Sequence, residues 1–374
     1  GTPRIVKHDG IAGLRFDDEA ATVNALVPRL KAGGADAIVV LIHQGGATGG
    51  WYDDQACPNL GGEIVPIVNA LDPAVDVVVS GHTHTAYANC YLTAADGRKR
   101  ILVTQAGSYG HFVSAIDIRF DTASHAIAGI DAHNLPVVNA APADPSLAAL
   151  YPALPADAAQ AQRVARYDRL AAPVAGRTVG TLGADLLRAE DAAGESALGD
   201  VVADAQLAAT APAKSGGAVA ALAHPGGIRG DLAAGTVTYG ALYNVQPFGD
   251  ALVVMSLSGA QLKQVLEEQW SGRRPTMLQV STGMHYAWDA TRPAGDRVTA
   301  ISIGGAAVDM ADTAPRYRIE VNDYIAEGGD GFTALAGGTQ RVVGPRDIDA
   351  LAGYLAAHAN LAAPAAGRIS CSGC

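Results

Sequence analysis

The sequence predicts a mixed α/β (α+β) protein of two domains. A layered sheet-and-helix domain is expected over 1–145, a linker with a connecting helix over 146–174, and a second mixed α/β domain over 175–374. Three observations carry this expectation. The chain has 374 residues, long for a single domain. Its first part alternates helical patterns with short apolar runs. Near residue 140 the composition turns Pro- and Ala-rich and loses its period.

In the first part, residues 19–30 carry helical spacing, 37–42 read as a strand, 63–71 as a helix, 75–79 and 101–104 as strands, and 113–120 as a half-exposed strand by its period-2 alternation. Residues 139–156 have the composition of a linker, and 157–170 place Ala, Gln, Arg and Val at helical spacing. The stretch Ala193-Gly-Glu-Ser-Ala-Leu-Gly-Asp-Val-Val-Ala-Asp-Ala-Gln206 then opens a helix behind a loop of small residues.

Composition narrows the function classes. With 49% hydrophobic and 17% charged residues, the chain is a well-buried globular protein, and no apolar run is long enough to span a membrane without a charge or proline. The net charge of −11 argues against a nucleic-acid polymer as partner. The longest basic run, Arg98-Lys99-Arg100, follows Asp96-Gly97 and reads as a solvated turn. Small phosphate esters stay open, because a few local arginines override a global field.

The chemistry-bearing feature of the first part is Asp76-Val-Val-Val-Ser-Gly-His-Thr-His84. A buried-looking strand ends there in two histidines, His82 and His84, at the edge where α/β proteins place ligands. In an extended segment the two would share a face. A second strand, Asp36-Ala-Ile-Val-Val-Leu-Ile-His43-Gln44-Gly45-Gly46, ends with His43 at its tip. Three imidazoles on two strand ends read as metal ligands.

The four cysteines read as two pairs. Cys57 and Cys90 flank the histidine edge, where a bridge would pin the loops, although the sequence leaves their pairing open. Cys371 and Cys374 form a terminal Cys-x-x-Cys outside any βαβ setting, which reads as a tail disulfide rather than a redox motif. This sparse, even set suits a periplasmic or secreted protein.

The Gly-His-Thr-His run, the strand-tip His43 and the later Gln105-Ala-Gly-Ser-Tyr-Gly110 resemble the second half of a calcineurin-like metallophosphoesterase domain, as in 5'-nucleotidases. The resemblance implies two divalent ions, Zn, Mn or similar, with His43 and His82 on one and His84 on the other. The first half of such a domain supplies an Asp-x-His, a bridging Asp and an Asn-His pair. No Gly-Asn-His occurs in this sequence, and its only Asp-x-His, Asp131-Ala-His133, follows the histidine run instead of preceding it. The opening Gly1-Thr-Pro-Arg-Ile-Val6 would fall in mid-domain, so the front half, the catalytic residues and any signal peptide are expected upstream, on a separate or lost fragment. Metal occupancy in this chain is then expected to be partial or nil, and the chain alone a poor catalyst.

Pro225-Gly-Gly-Ile-Arg229, Gln246-Pro-Phe-Gly249, Leu278-Gln-Val-Ser281 and Gly328-Gly-Asp-Gly-Phe332 together resemble the C-terminal substrate-binding domain of the same family. The resemblance implies Arg188 and Arg229 on the phosphate, Met277 and Tyr324 as the two sides of a base clamp, and Asp330 on the ribose hydroxyls. His224 stands where the family usually has Asn, which alters a phosphate or leaving-group contact or merely caps the turn. With metals and base pocket on different domains, the resemblance also implies an inter-domain cleft. The implied activity is hydrolysis of nucleoside 5'-monophosphates. A 2',3'-cyclic nucleotide phosphodiesterase, a nucleotide-sugar diphosphatase, a sulfur-compound hydrolase and an inert nucleotide-binding fragment are the alternatives.

Overall fold

The computed structural model describes residues 8–272 and 275–374. The opening Gly1 to Lys7 lies outside the described residues. The chain divides within the helix α4 defined below into two compact units, one of Gly13–Gln162 and one of Arg163–Cys374 with the described residues 8–12.

The first unit begins with helix α1 (Glu19–Ala32). Asp18 caps it by accepting from the Ala21 N–H at 2.7 Å, and Arg29 and Lys31 lie in its last turn, where cations favour the dipole. Strand β1 (Val39–Leu41), helix α2 (Ile64–Asn69) and strands β2 (Val77–Val79), β3 (Ala86–Thr93) and β4 (Arg100–Ala106) follow. They form a sheet of order β1-β2-β4-β3, parallel except for the β3–β4 pair.

Alternation along the strands sends side chains to two layers. Val78, Ile101 and Val103 join the cluster that includes Ala20, Val27, Ile64 and Val68 of α1 and α2. Val77 and Leu102 meet Ala132, Ile116, Ile118 and Ile130 on the other face. Those partners belong to an antiparallel hairpin of β5 (Phe112–Phe120) and β6 (Ile127–Pro136). The half-exposed strand expected at 113–120 is therefore β5. Its partner β6 escaped the sequence reading, because its alternation is interrupted by Gly129 and carries Asp131 and His133 on one face.

Two local expectations need correction. The linker composition of 139–156 hides helix α3 (Pro145–Leu150), started by Asp144, which accepts from the Ser146 N–H at 2.8 Å, with Pro145 at the first helical position. Of the basic triplet, only Arg98 fits a simple solvated turn. Lys99 reaches in to Asp76 at 2.7 Å, and Arg100 opens β4 with its guanidinium 5.1 Å from the Tyr91 ring centroid. Asp76 is buried, and its other oxygen accepts from the Ile38 N–H at 3.0 Å, so the lysine compensates a buried charge where β1 meets β2.

The helix expected at 157–170 is α4 (Ala158–Ala175). In the second unit, β7 (Thr178–Leu182) precedes α5 (Ala197–Thr210), which Ser196 caps by accepting from the Gly199 N–H. Strands β8 (Ala220–Ala223) and β9 (Gly235–Thr238), helix α6 (Tyr239–Val245) and β10 (Ala251–Leu257) come next, followed by α7 (Gly259–Glu267), which is held by a capping box between Ser258 and Gln261. The chain closes with β11 (Gln279–Val280), β12 (Met284–Asp289), β13 (Val298–Ile303), β14 (Ala306–Ala307), β15 (Tyr317–Asn322), α8 (Asp323–Ala326), β16 (Thr339–Arg346), α9 (Asp347–Ala357) and β17 (Ile369–Ser372).

The main sheet runs β11-β8-β15-β10-β16, a second runs β14-β13-β12-β17, and β7 pairs with β9. One core is gathered around Leu262, Val265, Ile319 and Phe332, another around α5 and α9 with Leu198, Val202, Leu351 and Leu355. The loops after β8 and after α8 carry the residues that matter below.

Candidate functional site

Parallel pairing of β1 with β2 brings their carboxyl ends together, and backbone bonds extend the register past both strands. The Ile42 N–H donates to the Val79 carbonyl at 3.0 Å and the Gly81 N–H to the Gln44 carbonyl at 3.2 Å. Gly45 has to be glycine, since a Cβ there would collide with the Gly81 carbonyl and the Gln105 amide oxygen. Gln105 ties the two tips together, donating to the Thr85 carbonyl at 2.6 Å and to Thr83 Oγ1 at 3.0 Å. Cys57 and Cys90 form a disulfide with Cα atoms 5.2 Å apart, fastening the loop after β1 to β3. Cys371 and Cys374 form the second one.

On this platform the rings of His43 and His82 lie edge to face with centroids 5.2 Å apart. His84 does not share a face with His82 through extended backbone. Both residues adopt left-handed φ, 75° and 58°, so the run after β2 is a tight turn. The His84 ring packs instead against Tyr109, 5.6 Å away. Asp131 and His133 are engaged elsewhere, with Arg119 at 2.6 Å and Asp53 at 3.1 Å. Among the described residues no group of three His, Cys, Asp or Glu side chains is arranged to hold a metal ion. Two converging imidazoles are half of a usual donor set, so these residues do not by themselves fit a divalent ion.

The second unit assembles its candidate residues around the turn after β8. The Pro225–Gly227 turn is followed by Ile228 and Arg229. Arg188, 40 residues upstream of Ile228, donates from Nη1 to the Ile228 carbonyl at 3.2 Å, and its backbone N–H donates to Asp231 at 2.8 Å. Arg229 donates from Nη1 to the Gly226 carbonyl at 3.3 Å, with its guanidinium 5.9 Å from the Phe248 centroid. Two guanidiniums thus sit on one glycine-rich turn, a concentration of cationic donors suited to an anion.

His224 begins this turn and is buried. Its ring lies across Gly226, where a Cβ would strike it, and edge-on to Tyr324 and Phe332, each centroid 5.9 Å away. Its Nε2 stands 3.3 Å from Asp330 Oδ2, within ion-pairing distance but not aligned as a hydrogen bond. The Tyr324 hydroxyl donates to Asp330 Oδ1 at 2.7 Å. Burial, together with that bond, raises the Tyr324 pKa, so the phenol stays a neutral donor. Met277 is the exception among the expected residues. It is 3% exposed and belongs to the core cluster against which Tyr324 packs, with Gly194 close enough that a Cβ there would strike the Met277 side chain.

Residues 174–337 match the family model described as the 5'-nucleotidase, C-terminal domain. Within these residues the chain carries a domain of the 5'-nucleotidase C-terminal type. A 5'-nucleotidase precursor from Thermus thermophilus superposes with a TM-score of 0.72 at 29% identity, covering 97% of this chain and 70% of that one. The human 5'-nucleotidase is 25% identical over 374 residues, which is 91% of this chain and 60% of that protein. The endonuclease YhcR of Bacillus subtilis is 27% identical over 353 residues, 94% of this chain but 26% of its own length. The chain thus spans about a quarter of that relative and three-fifths of the human one.

The second unit also holds a charged cluster that the sequence reading passed over. Arg368 makes a bidentate pair with Asp204 at 2.7 and 2.9 Å, and its Nε is 3.4 Å from Asp200. Glu195 accepts from the backbone N–H groups of Gly367, Arg368 and Ile369, which anchors β17. Two carboxylates share one guanidinium, and the third binds the backbone beside it. Burial, reinforced by Glu195 against the opposing pull of Arg368, pushes Asp200 up to about 8. Its position next to the Gly-Glu-Ser loop was visible in the sequence, but its partner lies 168 residues away.

Proposed function

We propose that the chain is the nucleotide-holding part of a phosphohydrolase that converts nucleoside 5'-monophosphates to nucleoside and phosphate. The observation that carries this reading is the placing of Arg188 on the Ile228 carbonyl and of Arg229 on the Gly226 carbonyl, within the matched residues that also hold the Tyr324–Asp330 pair. A phosphate dianion needs donors that keep their charge, and guanidiniums supply them in a planar fork. Asp330 offers acceptors for sugar hydroxyls and Tyr324 a ring face for a base. With Met277 in the core, the clamp has one strong aromatic side, which favours broad base tolerance.

The chemical step in this reading needs divalent ions, as the family resemblance implies, and the described residues of this chain give only the His43–His82 pair toward them. That shortfall favours a second reading, in which this chain binds nucleotides without turning them over. Two disulfides support a periplasmic or secreted home for either. No described helix is long and apolar enough to cross a membrane.

Calorimetric titration with AMP and adenosine, beside a phosphate-release assay with added Mn or Zn, tests the proposal. Binding of AMP with phosphate release supports the hydrolase, and binding without release supports the second reading. If neither AMP nor adenosine binds, both readings fail.

A further inference from the structure

A histidine buried on a wall of aromatic rings is an unusual use of a polar side chain, and its surroundings indicate what it does. The His224 side chain is 3% exposed. Gly226 leaves room for the ring, Tyr324 and Phe332 fix its edges, and the remaining freedom directs Nε2 toward Asp330. Asp330 itself is held in a left-handed conformation with φ of 49°, between Gly329 and Gly331. That backbone is one that few residues other than glycine, asparagine and aspartate adopt, and it sets the direction from which the Asp330 carboxylate meets its neighbours. The phenol of Tyr324 holds Oδ1 and the imidazole faces Oδ2.

We propose that His224 is a positioning residue for Asp330, and that the His224–Asp330–Tyr324 arrangement makes the site selective for ligands with a vicinal diol, ribose over 2'-deoxyribose. This rests on the reading that Asp330 accepts the sugar hydroxyls. Each carboxylate oxygen accepts more than one hydrogen bond, so an oxygen held from one side still has a lone pair for a ligand hydroxyl. A carboxylate hydrogen-bonded by the phenol at Oδ1 and faced by the imidazole at Oδ2 is restricted in the orientation of its remaining lone pairs, and two adjacent hydroxyls fit it at a reduced ordering cost. A sugar lacking one hydroxyl leaves an acceptor unmatched, the most effective basis for rejecting an analogue. The Asp330 side chain is 45% exposed, and water partly replaces the lost bond, which keeps the expected preference near tenfold rather than far above it.

The test is calorimetric titration of the full chain with adenosine and with 2'-deoxyadenosine, in wild type, H224F and D330N. Phenylalanine keeps the ring and its packing and removes the nitrogen. Wild type should favour adenosine by about tenfold, and D330N sets the ratio without the carboxylate. H224F should fall to within about twofold of D330N, mainly through weaker adenosine binding with deoxyadenosine little changed. A purely structural histidine would weaken both ligands together. An H224F ratio equal to wild type overturns the role of His224 and leaves the sugar reading standing. A wild-type ratio of one removes the sugar reading and the inference with it. His224→Leu replaces H224F if the latter does not fold, with the same supporting and overturning outcomes.

Discussion

The histidine edge of the first unit and the turn-centred site of the second are made of different materials. At the edge, backbone register does the placing: two parallel strands end side by side, and His43 and His82 meet because their strands pair. In the second unit, side chains do it. His224, Tyr324 and Asp330 are brought together by ring packing and hydrogen bonds across about a hundred residues, and two arginines lean on one turn. A register-built site is rigid but leaves each ring's direction to the following turn, which here parts His84 from His82. A side-chain-built site can be complete within one unit.

The largest effect expected from breaking this contrast is in the first unit. Replacing both Cys57 and Cys90 by Ser should destabilise it by about 3–4 kcal/mol, from the 33-residue separation that the bridge closes. Differential scanning calorimetry should show the first unit's transition falling while the second unit's stays in place. A shift of both would show that the units do not melt independently.

The next effect separates the units by pH. Asp200 has its folded pKa raised to about 8 from an ordinary 3.8, so the folded state binds more protons than the unfolded one in that interval. Stability of the second unit therefore falls as pH rises from about 4 to about 8, with a slope of up to about 1.4 kcal/mol per pH unit from this group. Asp200→Asn should flatten that slope and raise the melting temperature at pH 8.5 relative to wild type. Parallel curves for the two proteins would assign the pH dependence elsewhere.

A smaller effect probes the ligand side. Arg229→Ala should weaken AMP by about 10- to 100-fold, the range of a charged hydrogen-bond donor, while adenosine changes by less than about threefold. Equal losses for both ligands would mean that Arg229 shapes the turn rather than meeting a phosphate. The smallest expected effect is at the histidine edge. With two imidazoles as the described donors, a chelator should move the first unit's melting temperature by no more than about one degree. A drop of several degrees would reveal a metal site more complete than the one seen.

Much of this was legible locally. The pairing of small residues with turns, the apolar strand runs and the capped helix starts depend on neighbours a few residues apart, which is why α1, β2, α4 and α5 lie close to where periodicity puts them. The short helix α3 carried its own signal in Asp144-Pro145-Ser146, masked by the surrounding alanines and prolines. Strand β6 was harder, because its apolar residues gain meaning only against β2 and β4 on the sheet face it covers.

The sequence by itself determined which residue types stand at strand tips and glycine turns, because those are set by local dihedral preferences and the alternation of side chains. Only the tertiary structure decided that His82 turns to His43 while His84 turns to Tyr109, that Met277 enters the core, and that His224 faces Asp330. Each of these is a contact whose partner is chosen by packing and register across the fold, and no short-range pattern encodes the direction in which a ring will point.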